Sequence, residues 1–217
     1  FLLSTALSAC SGGWFGEKDN KPPLKGERIS VLDYERDLRP EGEAAPSTFM
    51  LAEPQTNDSW PQAGGYPSHA MGTLDLGANL QKAWSSGIGE GSRSRLPLTA
   101  QPVVSGQSIF ALDTDSQLSS FDTNTGQRRW SVDVRDEAEE DPVISGGIAV
   151  DAGVVYVTAG YDELVAVDAA KGDVKWRAKL TSPSRAAPTV TGNKVFVTTM
   201  TNSVLAINTA DGKVAWG

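Results

Sequence analysis

The sequence contains few residues that could perform catalysis or hold a metal ion. Its 217 residues include one histidine, His69, and one cysteine, Cys10. A histidine-rich metal site and an intrachain disulfide therefore cannot form within this chain, and a Ser–His catalytic pair would depend on His69 alone. Because His69 lies in a stretch rich in Gly and Pro, we expect it to form structural hydrogen bonds.

Two further patterns match ligand-binding loops only in part. Asp113 and Asp115 have the spacing that opens a calcium loop, but no Gly and Glu follow at the required positions. The run GIGEG, from Gly87 to Gly91, lacks the Gly-Lys-Ser ending of a phosphate loop, and no helical pattern follows it. We interpret the first as a turn between strands and the second as a flexible loop. The sequence thus predicts no catalytic residue, no metal site and no cofactor.

The charge and hydropathy of the chain argue against two other classes of protein. A net charge of −8 disfavours a nucleic-acid partner, because neutralising phosphates requires clustered Lys and Arg. The chain has no run of 18 apolar residues, so the sequence predicts no transmembrane helix.

The first ten residues have the pattern of an export signal. An apolar stretch from Phe1 to Leu7 is followed by the small residues Ser8 and Ala9 and then by Cys10. This ending resembles the bacterial lipoprotein box, which implies that Cys10 is lipidated and anchors the protein to a membrane. By the sorting rule of that family, Ser11 after the cysteine implies the periplasmic face of the outer membrane. The alternative is a free cysteine in a severed signal segment.

Residues 11–59 differ in composition from the rest of the chain. They are rich in Pro, Glu, Lys, Asp and Asn and have little apolar periodicity, as in KDNKPPLKGER and RPEGEAAPS. Such a composition cannot bury a core, so we interpret this segment as a flexible, disordered tether.

From Trp60 onward the chain repeats one pattern three times. An Asp or Asn is followed by Gly four residues later and by Trp after four more. The three sets are Asp122, Gly126 and Trp130; Asp168, Gly172 and Trp176; and Asn208, Gly212 and Trp216. Trp84 precedes Trp130 by 46 residues, which is also the separation of Trp130 and Trp176. The spacing predicts a structural unit that recurs every 40 to 46 residues.

Each unit has the composition of four short β-strands. Runs such as SIFAL, VVYVT and LVAV are rich in β-branched and aromatic residues, which favour strands. The Asp or Asn begins a turn through its side chain, and the Gly takes the positive φ that closes it. Four strands in about 40 residues are typical of a propeller blade. The sequence predicts blades at about 99–134, 145–180 and 185–217, with Trp84, Trp130, Trp176, Trp216, Gly126, Gly172 and Gly212 as docking residues.

The repeated pattern resembles the tryptophan-docking motif of quinoprotein-like β-propellers, which are built from PQQ-like repeats. Ala166, Asp168, Gly172 and Trp176 match this motif, with Lys171 in place of its Thr. The resemblance covers residues 60–217 and implies an all-β propeller of seven or eight four-stranded blades. About three blades are present, and residues 74–84 are expected to form a strand that closes the ring. We therefore expect the chain to be a fragment of a longer protein.

A narrower resemblance concerns function. The WPQAGG run from Trp60 to Gly65, the lipoprotein box and the KPPLKGERISVL tether resemble the alphaproteobacterial form of the BamB family of outer-membrane assembly lipoproteins. This implies a non-enzymatic scaffold that binds the POTRA domains of BamA, joins other subunits of the assembly machinery and helps deliver unfolded outer-membrane proteins. One alternative is a fragment of a PQQ-dependent periplasmic dehydrogenase, because the same repeats build those enzymes. A second is a sensory propeller, against which the lipid anchor argues, because a signalling chain would need a membrane span.

Two of the predicted connections between blades are longer than the third. Connections of the same type emerge on the same face of a propeller, so the two long ones are expected to project side by side. The first carries Arg93 and Arg95, and the second carries the acidic residues Asp136, Glu137, Glu139, Glu140 and Asp141. We predict that these charges form a protein-binding surface; the alternative is a pair of solvated loops whose charges neutralise each other.

Overall fold

The computed structural model describes residues 50–135, 144–159 and 162–217. These residues form twelve β-strands and no helix. The strands make three four-stranded antiparallel sheets, each built from strands that are consecutive in the chain. The predicted all-β fold of propeller blades is confirmed.

We refer to the three sheets as blades 1, 2 and 3. Blade 1 contains β1 (Val103–Ser105), β2 (Ser108–Leu112), β3 (Gln117–Asp122) and β4 (Arg128–Asp133). Blade 2 contains β5 (Gly147–Asp151), β6 (Val154–Ala159), β7 (Glu163–Asp168) and β8 (Val174–Lys179). Blade 3 contains β9 (Thr189–Thr191), β10 (Lys194–Thr198), β11 (Val204–Asn208) and β12 (Val214–Trp216).

The three blades share one strand register. In blade 1, Val103 pairs with Phe110, Phe110 with Ser120, and Ser120 with Trp130. The same rows in the other blades run Ala149–Tyr156–Ala166–Trp176 and Thr189–Phe196–Ala206–Trp216. A small residue thus separates two aromatic residues in every row. This small residue lets the two rings approach to between 5.8 and 6.0 Å between centroids in each blade.

The hydrophobic core lies between successive blades. Along β6, Val155 and Val157 pack in a cluster with residues of blade 1, whereas Tyr156 between them packs in a cluster with residues of blade 3. Successive side chains of a strand point to opposite faces, so a central blade with both faces covered needs an unbroken apolar run. The sequence ELVAVD of β7 has this composition, and its first five residues are buried.

Three of the four predicted docking tryptophans, Trp84, Trp130 and Trp176, each lie over a glycine of the following blade. The indole N–H groups of Trp84, Trp130 and Trp176 donate hydrogen bonds to the carbonyl oxygens of Thr123, Ala169 and Thr209, at 2.9, 3.1 and 3.0 Å. A Cβ added to Gly126, Gly172 or Gly212 would lie only 2.5 to 2.8 Å from the indole above it. Trp216, on the outer strand of blade 3, is 54% exposed.

Three residues of the chain before blade 1 cross the inner edges of all three blades. We call Trp60, Pro61 and Gln62 the crossing segment. The backbone of Trp60 exchanges two hydrogen bonds with Val104 in β1, each of 2.8 Å, and Pro61 accepts one from Val150 in β5, at 2.7 Å. The Gln62 side chain bonds to β9 and is 2% exposed. Inner edges that would otherwise present unpaired backbone groups are thereby covered.

The structure describes parts of two predicted segments, the tether and the closing strand. Ordered pairing begins at Gln55, whose backbone bonds to Thr73 and Asp75 at 3.0 and 2.9 Å, within the segment predicted as tether. Residues 74–84 form no strand with the described residues apart from a bridge between Leu74 and Gln55. A closing strand needs the other strands of its blade as partners, and none of the twelve described strands pairs with this segment, so the closing strand stays a prediction.

Candidate protein-binding surface

The topology of the blades separates the loops into two faces. Because consecutive strands run in opposite directions, the turns after β2, β6 and β10 emerge on the same face as the connections between blades. We call this the connection face. The turns inside β1–β2 and β3–β4 and their equivalents emerge on the opposite side, which we call the glycine-turn face. Arg93 and Arg95 belong to the connection face.

Arg93 and Arg95 lie in a tight turn of the connection before blade 1. The backbone N–H of Arg93 donates to the carbonyl of Leu96 at 2.9 Å, and the reverse bond is 3.0 Å. Ser94 and Arg95 therefore occupy the tip of a two-residue turn, and both are exposed. This turn presents the Arg95 guanidinium to solvent.

The two arginines have different electrostatic environments. Arg93 forms an ion pair with Asp115, in the β2–β3 turn, and the side chains of the pair are 45% and 33% exposed. Arg95 forms no ion pair with any residue that the structure describes. The predicted acidic partners Asp136, Glu137, Glu139 and Glu140 lie outside the described residues, as does Cys10. Of the predicted charged surface, the structure describes only the basic half.

The connection that carries the arginines is braced by the β2–β3 turn. The carboxylate of Asp113 accepts hydrogen bonds from the backbone N–H groups of Glu90, Asp115 and Gln117, at 2.9, 2.9 and 2.8 Å. The Thr114 hydroxyl bonds to the carbonyl oxygens of Glu90 and Gly91. Asp113 therefore acts as a structural acceptor. The GIGEG run that we interpreted as flexible is anchored to blade 1 at Glu90 and Gly91.

Arg177 of β8 fixes the start of the second connection to blade 2. Its guanidinium donates hydrogen bonds to the carbonyl oxygens of Val134 and Arg135, at 3.0 and 3.1 Å, and to the carboxylate of Glu163, at 2.8 Å. Glu163 is buried, so this pair is less screened by solvent than a surface pair. Comparison of the repeats could have identified Arg177, because the equivalent position in blade 1 is the neutral Ser131.

A second ion pair lies at the start of the second connection, where Arg135 forms a salt bridge with Asp133 at 2.6 Å. Its hydrogen bonds hold the pKa of the Asp133 carboxyl below its usual value, against the opposing effect of partial burial. The pKa of Arg135 is raised by the same contact. Asp133 is therefore ionised at neutral pH.

The remaining candidate residues have structural surroundings. The Nε2 atom of His69 lies 3.3 Å from the hydroxyl of Thr189, so this histidine ties its segment to blade 3. Within residues 50–135, 144–159 and 162–217, no group of three or more His, Cys, Asp or Glu side chains has a metal-binding arrangement. The same part of the chain has no helix long and apolar enough to span a membrane.

The chain is similar in sequence to several known proteins. BamB, the outer membrane protein assembly factor, of Yersinia pestis is 26% identical over 62% of this chain and 35% of its own length. An uncharacterised protein of Rickettsia conorii is 34% identical over 58% of this chain and 30% of its own length, which fits the alphaproteobacterial form. The chain thus spans about a third of the curated relatives it matches.

A solved structure has the same fold. The quinohemoprotein alcohol dehydrogenase of Comamonas testosteroni superposes with a TM-score of 0.58 at 26% identity, covering 76% of this chain and 28% of the enzyme. The family model described as outer membrane protein assembly factor BamB, built on PQQ-like repeats, matches residues 77–150 and 114–217. These matches cover more than half of the sequence, and the chain therefore belongs to the BamB family of PQQ-repeat proteins.

Proposed function

We propose that this chain is part of a non-enzymatic scaffold lipoprotein that serves the assembly of β-barrel proteins in the outer membrane. The observation that carries the proposal is the match of the BamB family model over residues 77–217. The sequence around Cys10 supports attachment to the periplasmic face of the outer membrane by a lipid anchor. The clients would be unfolded outer-membrane proteins, and the partners BamA and other subunits of the assembly machinery.

The connection face is the surface that we propose for docking on the POTRA domains of BamA. Its first connection is braced by Asp113 and Thr114 of blade 1, so little conformational entropy would be lost when a partner binds there. Arg95 is exposed and forms no ion pair with a described residue, which leaves its charge available to an acidic partner. Rim charges of this kind mainly increase the rate of association.

A double charge reversal tests this docking surface. We expect Arg93→Glu with Arg95→Glu to lower the recovery of BamA in co-purification at least roughly tenfold, because like charges placed opposite each other cost several kcal/mol. The matched control is Lys171→Glu with Lys213→Glu on the glycine-turn face. It makes the same change in net charge and also breaks one exposed ion pair, between Lys213 and Asp211.

The pattern of results separates the docking surface from the function. Undiminished recovery of BamA with the arginine variant would contradict docking through the connection face while leaving the assembly role in place. Equal losses with both variants would indicate a non-specific effect of net charge. Absence of BamA with the unchanged protein would contradict the proposed function itself.

The second candidate function is that of a PQQ-dependent dehydrogenase. The likeness to the Comamonas testosteroni enzyme supports it, although one fold can host unrelated activities. Adding PQQ and Ca²⁺ to the purified protein and measuring alcohol-dependent dye reduction distinguishes the two. We expect no alcohol-dependent reduction above a control without PQQ, and turnover would instead favour the enzyme.

A further inference from the structure

A cavity of about 310 Å³ lies between blades 1 and 2 on the glycine-turn face. Phe110 and Val150 form an apolar part of its lining, and both are nearly fully buried. The polar side chains that line it are Ser105, Ser108, Arg129 and Asp168. A cavity of this size with a few convergent polar groups is large enough for one long side chain.

Comparison of the three repeats singles out the carboxylate of Asp168. The equivalent residue in blade 1, Asp122, pairs through Oδ2 with the guanidinium of Arg129 at 2.6 Å. In blade 3 the position is the neutral Asn208. Asp168 accepts the backbone N–H groups of Ala170 and Lys171 through Oδ1, as Asp122 does in its own turn. It forms no ion pair with any residue that the structure describes, although Lys175 stands at the position of Arg129.

The two charged side chains that line the cavity, Arg129 and Asp168, differ in their pairing. Arg129 also lines the cavity, but Asp122 compensates its charge, and its other amino group donates to the Ser108 hydroxyl at 3.0 Å. Asp168 on the opposite wall has no such compensation. The chain as a whole carries a net charge of −8, which attracts cationic partners.

We propose that this cavity binds a lysine side chain of a partner protein. The ammonium group carries three N–H donors, and the cavity offers Oδ2 of Asp168 and the Ser105 hydroxyl as acceptors, whereas the Ser108 hydroxyl already accepts from Arg129. The slender aliphatic stem of lysine suits the apolar surface of Phe110 and Val150.

The inference can be tested on the 217-residue chain with small probes and without BamA. We would titrate Nα-acetyl-lysine methylamide into the isotope-labelled protein and follow the amide resonances of Phe110, Val150, Ala169 and Ala170 by NMR. The norleucine analogue has a similar stem without the ammonium group. We expect the lysine probe to shift these resonances and the norleucine probe to leave them unchanged.

Matched variants locate the binding charge. Asp168→Asn copies the residue that blade 3 uses in the same turn, so the fold is expected to persist, and the affinity for the lysine probe should fall about fivefold or more. Asp173→Asn removes an equal charge five residues away and should change the affinity less than twofold. Ser105→Ala, which leaves the turn untouched, provides a second test and should also weaken binding.

Three outcomes would overturn the inference. These are unchanged affinity in Asp168→Asn, equal shifts with the norleucine probe, and no response of these resonances to the lysine probe in the unchanged chain. None of them bears on the docking of BamA at the opposite face.

Discussion

Trp84, Trp130 and Trp176 each require that one glycine of the next blade has no side chain. The indole of Trp130 occupies the space where a Cβ of Gly172 would lie, 2.8 Å from the nearest ring atom. Gly172 also has a φ of +82°, which other residues adopt only with strain. Glycine is thus needed at this position for two separate reasons, backbone conformation and close contact.

A pair of glycine variants separates these two reasons. Gly153 has a similar φ of +76°, but no atom lies within 4 Å of its hypothetical Cβ. Both Gly172→Ala and Gly153→Ala introduce backbone strain, and only the first also clashes with an indole. We expect Gly172→Ala to lower the free energy of unfolding by about 1–3 kcal/mol more than Gly153→Ala does. Urea unfolding followed by tryptophan fluorescence measures the difference.

Other blades provide the check on this prediction. Gly126 and Gly212 have the docking contact, whereas Gly106 and Gly192 have a positive φ and open space. The comparison is made within a blade, between Gly126 and Gly106 in blade 1 and between Gly212 and Gly192 in blade 3. If alanine lowers the stability equally at both positions of a blade, the ring contact contributes nothing beyond the conformation of the turn.

The same turns contain a carboxylate with a low pKa. The hydrogen bond from Arg129 is the main cause that lowers the pKa of Asp122 to about 2, and the backbone N–H groups of Thr125 and Asn124 act in the same direction. A depressed folded-state pKa adds stability above the ordinary value near 4, and this contribution is lost as the pH falls from about 4 toward 2.

Replacing the arginine should raise this pKa. In Arg129→Met the carboxylate keeps its backbone donors but loses the charged one, so we expect the Asp122 pKa to rise toward its ordinary value. Carboxyl ¹³C shifts measured by NMR against pH report this pKa directly. Arg128→Met, at the neighbouring position, is the control and should leave the pKa unchanged. A pKa that stays near 2 in Arg129→Met would assign the shift to the backbone donors.

At the scale of the elements, the crossing segment joins blades that are distant in sequence. The Gln62 amide donates to the carbonyl of Val190 at 3.2 Å and accepts from its N–H at 2.9 Å. Both groups lie on the inner edge of β9. A buried side-chain amide thus replaces a neighbouring strand at this edge.

Removing this amide should uncouple blade 3 from the segment. In Gln62→Leu the two backbone groups of Val190 lose their partner, so we expect a loss of about 1–3 kcal/mol in the free energy of unfolding. Hydrogen exchange of the Val190 amide should accelerate, while that of Val104 should change little. Gln55→Leu makes the same chemical change at an exposed position and should have little effect. Unaltered exchange at Val190 would contradict the bracing role of Gln62.

The repeated pattern predicted the elements well because local and tertiary requirements coincide in it. Asp168, Gly172 and Trp176 specify the turn, its closure and the docking contact, so three residues predict a whole blade. Gln55 and Gln62 have no such periodicity, because their partners lie in distant or irregular segments. Composition alone therefore placed Gln55 in the tether.

The ion pairing within the charged surface could not be predicted from the repeats. The exposure of Arg93 and Arg95 on a connection between blades follows from the spacing of the repeats. The pairing of Arg93 with Asp115 does not, because it depends on how the connection folds back over the β2–β3 turn. Pairing of charged loop residues is set by the loop conformation, which the repeat pattern does not encode.

At the scale of the molecule, the blades form a chain of nearest-neighbour interactions. The two apolar clusters each join successive blades, and the stability of such arrays is roughly a sum of the stabilities of units and interfaces. The fold is shared with dehydrogenases, so it cannot by itself decide between scaffold and enzyme. The reversal of Arg93 and Arg95 addresses function at this scale, because it leaves the interfaces between blades untouched.

The tryptophans also give the array a direction. Each described indole hydrogen bond reaches forward along the chain, by 39, 39 and 33 residues. During synthesis from the N-terminus, the outer strand of a newly made blade must therefore wait for the turn of its successor to leave the ribosome. While a propeller of this kind is being made, its newest blade lacks the docking contact that its successor supplies.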